Sequence, residues 1–186
     1  MEVRGVHKSE LEETVHLNCL VFRPDGHARY RQYVEDDCSY QLDQTRVIVV
    51  DKRVVATLRI WERRMRVGSS IVTMGGIGGV CTHPDYRGLG YATELMKNAV
   101  EYMQNANYDI GVLFSIIPGK FYSNLGWTSL ILEGFQIVPH HIGTFEDTNW
   151  RVEKFDEARD LNQVATLYDK YNLCHSGTIV RPRSYW

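Results

Sequence analysis

The chain places an arginine and two glycines at the start of a helix, in Arg87-Gly88-Leu89-Gly90-Tyr91-Ala92. The first turn of a helix has unpaired backbone N–H groups and carries the positive end of the helix dipole, so it attracts anions. Glycines have no side chain to hold a ligand away from the backbone. The pattern therefore predicts a site for a phosphate or pyrophosphate. The alternative is a plain strand-to-helix turn in which the glycines serve packing.

Two other phosphate-binding patterns are absent from the sequence. A P-loop needs GxxxxGK[ST], whereas Gly119-Lys120 is followed by Phe121 and lacks the upstream glycine. A Rossmann fingerprint needs GxGxxG, and "GLGYAT" departs from it at the last position. The sequence therefore excludes a P-loop NTPase and a Rossmann dehydrogenase.

The segments around the loop predict a mixed α/β sheet. Before the loop, "TRVIVV" and "RVVATLRIWERRM" form a predicted antiparallel hairpin with a tight turn near Asp51 and Lys52, and "SSIVTMGGIGGVCT" forms the next strand. "DIGVLFS", further along, is typical of a buried parallel strand. Between these strands, apolar residues at i, i+3, i+4 and i+7 predict a helix with one buried face, namely Ala92, Leu95, Met96, Ala99, Val100 and Met103.

Further elements are predicted towards both ends. Residues 2–7 are expected to form a strand, and Ser9 with Glu12 a capping box that starts a helix through about Phe22. "HARYRQYVED" predicts a second helix, "GKFYSNLG" a short one and "WTSLILEGFQIVP" one or two closing strands. "RVEKF" predicts a strand before the helix "DEARDLNQVATLYDKY", and the basic run at residues 63–66 an exposed strand end. This order predicts an α/β fold with helices on both faces of the sheet.

Composition limits the function classes. The 186 residues suit one sizeable domain, or one domain plus the start of another, and 44% are hydrophobic. A net charge of −2 argues against nucleic acid as a partner, and no apolar run approaches the length of a membrane span. We therefore expect neither nucleic acid nor membrane as a partner. The N-terminus does not resemble a signal peptide, and the cysteines form no CxxC pair, so we expect a reduced, cytoplasmic protein without a metal site.

Arg87-x-x-Gly90-x-Ala92 resembles the R/Q-x-x-G-x-G/A signature of the GCN5-related N-acetyltransferases, the GNAT superfamily. The signature lies between an apolar strand and a long helix, as in that family, and the resemblance covers about residues 2 to 138. "MGGIGGVCTHPDYRGLGYA" and "FYSNLGW" look most like the branch that contains the enhanced intracellular survival protein. The resemblance implies the GNAT fold, a central, mostly antiparallel, twisted sheet with a splayed parallel strand pair.

Acetyl-CoA is the cosubstrate that the resemblance implies. Its pyrophosphate would lie on the signature loop, which comprises Arg87, Gly88, Leu89, Gly90, Tyr91 and Ala92, with Thr93 in the first helical turn. Its pantetheine arm would pair with the strand before the loop, at Val80, Cys81 and Thr82, and enter between strands flanked by Phe114 and Ser115. Cys81 is interpreted as a small core residue rather than a nucleophile, because no base lies near it in sequence.

In many members of the family, a tyrosine in the short helix before a "GF" or "GW" pair protonates the departing CoA thiolate. Tyr122 in "FYSNLGW" matches that position, and the alternative is that it only packs against the cosubstrate. The implied function is direct transfer of an acetyl group from acetyl-CoA to a primary amine of an aminoglycoside-like, polyamine, amino acid or peptide acceptor. The alternative from a different class is a non-catalytic GNAT-like module that binds CoA, or assembles with a partner, without turnover.

The general base is not identified by the sequence. Residues 71–82 contain no acid, and the remaining candidates are also typical surface charges, namely Glu62, Glu35, Asp36 and Asp37. Trp61 and Trp127 are candidates to line an acceptor pocket, and the alternative is that each is an ordinary buried core tryptophan.

Two domain-like segments are predicted. Residues 1–148 are expected to form the GNAT domain. Residues 149–186 resemble the start of a second GNAT-like lobe, because "RVEKF" and its helix repeat the pattern of "EVRGV" and the helix after it. A homo-oligomer that pairs edge strands is a further partner that the resemblance implies.

Overall fold

The computed structural model describes residues 1–117, 119–130 and 151–186. Its strands are β1 (Glu2–Gly5), β2 (Thr45–Val50), β3 (Arg53–Val67), β4 (Ser70–Thr82), β5 (Ile110–Leu113) and β6 (Ile179–Val180). Its α-helices are α1 (Leu11–Phe22), α2 (His27–Glu35), α3 (Tyr91–Asn105), α4 (Lys120–Ser123) and α5 (Glu157–Asn172). Short 3-10 turns cover Lys8–Glu10, Leu42–Gln44, Pro84–Tyr86 and Arg183–Tyr185.

The sheet has the strand order β1-β2-β3-β4-β5, and β6 pairs with β3. The pairs are antiparallel except β4 with β5, which run parallel. The predicted hairpin joins β2 to β3 through Asp51 and Lys52, whose φ angles of 49° and 64° give the turn geometry that matches strand twist. The mixed α/β fold class with a parallel pair is therefore confirmed.

Helices cover both faces of the sheet. Alternate strand residues point to opposite sides, so each face presents apolar side chains to a helix. On one face, α3 buries Leu95, Met96, Ala99 and Met103 against Ile48, Ala56, Leu58 and Ile60 of the sheet. On the other face, Leu17 of α1 packs with Val47, Val49, Val54 and Cys81. The predicted apolar face of α3 is confirmed, although Ala92 and Val100 at its edge are only half-buried.

The start of α1 differs from the prediction. Glu10, rather than Glu12, accepts a hydrogen bond from the backbone N–H of His7, at 2.8 Å. Arg4 of β1 also binds Glu10, at 2.8 and 2.9 Å, and these hydrogen bonds lower the pKa of that carboxyl to about 2. The predicted capping box from Ser9 to Glu12 is wrong, because a 3-10 turn precedes the helix and moves its start to Leu11.

The C-terminal segment adds to the same sheet. Strand β6 pairs with Arg64 and Met65 beyond the end of β2, and Arg66 N–H donates to the Thr178 carbonyl at 2.9 Å. In the basic run at residues 63–66, Met65 is buried and Arg63 and Arg66 are half-buried, so the predicted exposed strand end is wrong except at Arg64. The strand predicted at "RVEKF" is wrong, since residues 151–155 form none, whereas the helix after it is confirmed as α5. Of the predicted closing strands, residues 127–130 form none and the rest lies outside the described residues.

Candidate functional site

The parallel pairing of β4 and β5 ends partway along β4. The last paired residues are Ile77 and Leu113, whereas β4 continues to Thr82 and β5 stops. Beyond Ile77, the pairing of β4 continues only on the β3 side, where Cys81 pairs with Thr57 and Thr82 with Ala56. The backbone edge of this stretch towards β5 has no strand partner in the described chain, as expected of splayed strands that receive an extended ligand arm.

A β-bulge lies at the start of this unpaired stretch. Thr57 pairs with Cys81 and Arg59 with Gly78, so Gly79 and Val80 together oppose the single residue Leu58. Gly79 has a φ of 63°, and a Cβ there would lie 3.0 Å from the Asn18 Oδ1 of α1. Both the backbone angle and the approach of α1 therefore require glycine.

The signature loop follows directly after β4. Gly88 and Gly90 have φ angles of 78° and 80°, and nothing lies within 4 Å of the position of a Cβ at either one. The space above the loop amides is thus open, and Gly90 is the residue that precedes the first turn of α3. The Arg87 side chain lies back along the loop, where its Nε donates to the Thr82 carbonyl at 3.3 Å.

The other predicted ligand contacts lie around this loop. Leu89 is 60% exposed, whereas Tyr91, Ala92 and Thr93 are half-buried in the first turn of α3. The rings of Tyr91 and Tyr86 stack with centroids 6.5 Å apart. The structure therefore presents a glycine loop at the N-terminus of a 15-residue helix, which is the arrangement that binds a phosphate.

Cys81 is a core residue. Its side chain is 4% exposed, and burial raises the pKa of its thiol to about 12. A thiol with so high a pKa forms little thiolate near neutral pH and makes a poor nucleophile. All four cysteines are free, namely Cys19, Cys38, Cys81 and Cys174.

Tyr122 lies in α4 and packs against the core beneath α3. Its ring meets that of Phe121 edge-on with centroids 4.9 Å apart, and it is half-buried. Val80 and Tyr91 pack against the same buried cluster, so the tyrosine and the loop share one side of the sheet. Phe114 and Ser115 follow β5 and are exposed, Phe114 at 86%.

A cavity of about 510 Å³ lies on the opposite face of the sheet, between α1, α2 and strands β2 to β4. Gly79 of the bulge lines it, so it adjoins the unpaired stretch of β4. Trp61 also lines it, whereas Trp127 packs beside Gly111 of β5 on the α3 side. The remaining lining residues are Thr14, Val15, Asn18, Phe22, Arg23, Arg29, Tyr30, Tyr33, Val34, Thr45, Thr57, Leu58 and Arg59. Sequence patterns did not reveal the cavity, because its residues come from five separate segments of the chain.

No carboxylate is among these lining residues. Glu62 lies on the α3 side of the sheet, where Tyr108 Oη donates to it at 2.7 Å. This hydrogen bond and, above all, burial raise the pKa of Tyr108. Glu35 and Asp36 are exposed, and Asp37 is held by Arg59 and Arg63. Each candidate base from the sequence is therefore engaged or located elsewhere.

Three groups that could hold a metal ion come together where α1 meets α2. They belong to Glu12, His16 and His27, whose ligand atoms lie within 4.8 Å of one another. His27 Nε2 and Glu12 Oε1 are already 2.6 Å apart, so a hydrogen bond between these side chains ties the two helices together. The sequence did not suggest this cluster, because His27 is fifteen residues from Glu12 along the chain.

Within the described residues, no helix combines the length and the apolarity that crossing a bilayer requires.

Several solved structures share this fold. A GCN5-related N-acetyltransferase from Kribbella flavida aligns with a TM-score of 0.58 and 24% identity, over 67% of this chain and 33% of that one. A probable N-acyltransferase from Enterococcus faecalis aligns with a TM-score of 0.78 and 18% identity, over 100% of this chain and 47% of that one. An aminoglycoside 6'-N-acetyltransferase from Acinetobacter haemolyticus aligns with a TM-score of 0.55 and 17% identity, over 74% of this chain and 100% of that one.

These likenesses show a common fold, and the chain spans about a third to a half of the length of the first two structures. No curated protein matches the chain in sequence. A family model described as an acetyltransferase (GNAT) domain matches residues 2–130, which include the signature loop and α4. The chain therefore belongs to the GNAT family of acetyltransferases.

Proposed function

We propose that the protein transfers an acetyl group from acetyl-CoA directly to a primary amine that enters the cavity between α1 and α2. The observation that carries this proposal is the stretch of β4 from Gly78 to Thr82, which extends past the last pair of β4 with β5. Its C-terminal end leads into the open glycine loop, and Gly79 near its start lines the cavity. A thioester held along this stretch would thus be accessible from the cavity.

The residues around the loop fit acetyl-CoA. The open amides at Gly88 and Gly90, with Arg87 beside them, suit the pyrophosphate. The free backbone edge of Val80 to Thr82 suits the amides of the pantetheine arm, which can pair with it as a strand would. The exposed apolar side chains after β5, Phe114 and Ile116, offer a surface for the methylene groups of that arm.

Acetyl-CoA supplies an activated acyl group. The amine nitrogen bonds to the carbonyl carbon, the carbon–sulfur bond breaks, and the amine loses one proton while the thiolate gains one. Tyr122 is the proposed donor of the proton to sulfur. The bulge at Gly79 would let the amine approach the carbonyl from the cavity side.

A second candidate function has a specific observation in its favour. No carboxylate lines the cavity to take the proton from the amine, as expected of a GNAT module that binds CoA without turnover. Such a module would bind CoA through the same loop and transfer nothing.

The test is release of CoA thiol from acetyl-CoA with a panel of aminoglycosides, polyamines, amino acids and lysine peptides. Binding of CoA is measured in parallel, as a rise in melting temperature with ligand concentration. Thiol release that depends on an amine supports the transferase. Stabilisation by CoA without release from any amine favours the non-catalytic module, and the absence of both rejects the site.

We also propose that the protein belongs to the branch with the enhanced intracellular survival protein, which "MGGIGGVCTHPDYRGLGYA" and "FYSNLGW" resemble. We also propose the division into residues 1–148 and a second lobe that starts at residue 149. It rests on the likeness in sequence between "RVEKF" with its helix and "EVRGV" with the helix after it, although residues 151–155 form no strand.

A further inference from the structure

The cavity between α1 and α2 carries an excess of positive charge. Arg23, Arg29 and Arg59 line it, and its lining includes no aspartate or glutamate. Aromatic residues form much of the remaining wall, namely Phe22, Tyr30, Tyr33 and Trp61. The cavity therefore offers guanidinium groups beside apolar surface.

Arg59 is buried at the floor of the cavity, with 7% of its surface exposed. Its guanidinium donates to Asp37 Oδ2 and to the Tyr33 carbonyl, each at 2.7 Å, and its Nε has no hydrogen-bond partner in the described chain. Arg63 binds the same Asp37 carboxylate at 3.1 Å. One carboxylate thus balances two guanidinium groups, and the buried cluster keeps a net positive charge.

Arg23 and Arg29 are exposed at the rim of the cavity. In the described part of the chain, neither guanidinium has a carboxylate oxygen within 4.0 Å of its nitrogens, the upper limit for an ion pair. Arg29 Nε donates to the Tyr33 hydroxyl at 2.6 Å, which directs the guanidinium towards the aromatic wall. The rim therefore has two cations available to a ligand.

Since guanidinium groups bind carboxylates and phosphates through charge-assisted hydrogen bonds, this charge distribution has a consequence for the acceptor. We propose that the amine acceptor carries an anionic oxygen group, a carboxylate or a phosphate, which Arg23 and Arg29 bind at the rim of the cavity. This inference rests on the proposed acetyl transfer and names the class of its acceptor.

The same positive charges also affect how the acceptor amine loses its proton in a cavity whose lining has no carboxylate base. A positive environment disfavours the ammonium form of a bound amine and lowers its pKa. The acceptor would then lose its proton to solvent as it enters, and the free amine that remains is the form that attacks a thioester. A cavity without a carboxylate is thus consistent with turnover.

The test compares matched acceptors that differ in the anion. Glucosamine 6-phosphate is compared with glucosamine, and phenylalanine with 2-phenylethylamine, by thiol release at saturating acetyl-CoA. We expect kcat/KM to be about 10- to 100-fold higher for at least one anionic member than for its counterpart without the anion, as one or two charge-assisted hydrogen bonds would give. The pair that shows the preference tells a phosphate from a carboxylate.

The variants Arg23→Gln and Arg29→Gln should raise KM for the preferred anionic acceptor far more than KM for the counterpart without the anion, and should leave KM for acetyl-CoA unchanged. Arg53→Gln, at an exposed position next to the β2–β3 turn, is the matched control and should change none of these values. Turnover with equal kcat/KM within both pairs, or a preference that survives in the double variant, overturns the inference while the acetyl transfer stands.

Calorimetric titration of the same four compounds, with CoA present, decides the inference even if no acceptor turns over. Tighter binding of an anionic member that is lost in the double variant supports it. Equal binding, or no binding, within both pairs overturns it.

Discussion

Tyr122 is the side chain on which the proposed chemistry depends most. It lies in the four-residue helix α4, where Leu125 and Trp127 N–H groups donate to its carbonyl at 2.9 and 3.1 Å. Its ring packs against the core that also holds Val80 and Tyr91. The backbone and the ring are thus held by the fold, which leaves the hydroxyl as the group available for chemistry.

Replacing Tyr122 with phenylalanine removes that hydroxyl and keeps the ring. We expect kcat to fall about 100-fold, since a positioned general acid contributes about this much or more, while CoA binding changes little. Thiol release and thermal stabilisation by CoA measure the two quantities. Tyr171→Phe, on the exposed side of α5, is the control. A wild-type rate in Tyr122→Phe would remove this residue from the mechanism.

At the scale of elements, the bulge in β4 lies between the two parts of the candidate site, the β4 edge that leads to the signature loop and the cavity between α1 and α2. Before the bulge, β4 pairs with both β3 and β5, and after it only with β3. The bulge also turns Gly79 towards Asn18 of α1, at the boundary of the cavity. The bulge thus adjoins both the free backbone edge of Val80 to Thr82 and the cavity between α1 and α2.

Gly79→Ala should strain the bulge. The left-handed backbone costs about 1–2 kcal/mol for a residue with a Cβ, and the added carbon would press on Asn18. We expect a matching loss in the free energy of unfolding, measured by urea denaturation, together with slower acetyl transfer. Gly76→Ala in the same strand is the control, because its Cβ would have neighbours at 3.6 Å and no positive φ is needed. Equal stability of the two variants would contradict the role given to the bulge.

Across the whole molecule, Asp37 links three distant segments. It follows α2, binds Arg59 and Arg63 of β3 at 2.7 and 3.1 Å, and accepts a hydrogen bond from Ser39 at 2.8 Å. Ser39 in turn accepts from the Tyr185 hydroxyl, near the last described residue, at 2.7 Å. Burial alone would raise the pKa of the Asp37 carboxyl, but Arg63 and Ser39 outweigh it and lower that pKa.

Asp37→Asn should lower the free energy of unfolding by about 3 kcal/mol at pH 7, because it leaves buried guanidinium groups without their counterion. The folded-state pKa of Asp37 lies below its unfolded value of 3.8, so its contribution is complete above pH 3.8 and is lost as the pH falls through the folded pKa. Urea denaturation between pH 7 and pH 2 should therefore show the gap between wild type and variant closing in acid. Asp36→Asn, at the exposed neighbour, is the control, and a gap that stays constant with pH would reject this account.

The elements that local patterns predicted best were those whose signals lie within one segment. The 3.6-residue apolar period predicted α3, and the Asp51-Lys52 turn between Val-rich runs predicted the β2–β3 hairpin. Local patterns failed where a distant partner decided the outcome. Strand β6 has only two residues and forms because β3 extends past β2. "RVEKF" has strand-forming residues, yet it pairs with no strand of the described residues.

By itself, the sequence determined the loop Arg87-Gly88-Leu89-Gly90 and the helix after it, because glycine geometry and helix dipoles act within a few neighbouring residues. Only the tertiary structure decided what surrounds that loop. The end of the β4–β5 pairing, the bulge at Gly79 and the arginine-lined cavity depend on strand register and on helix packing between segments far apart in the chain. Such contacts produce no periodic pattern in the sequence, since each residue involved packs against a different neighbour from a distant segment.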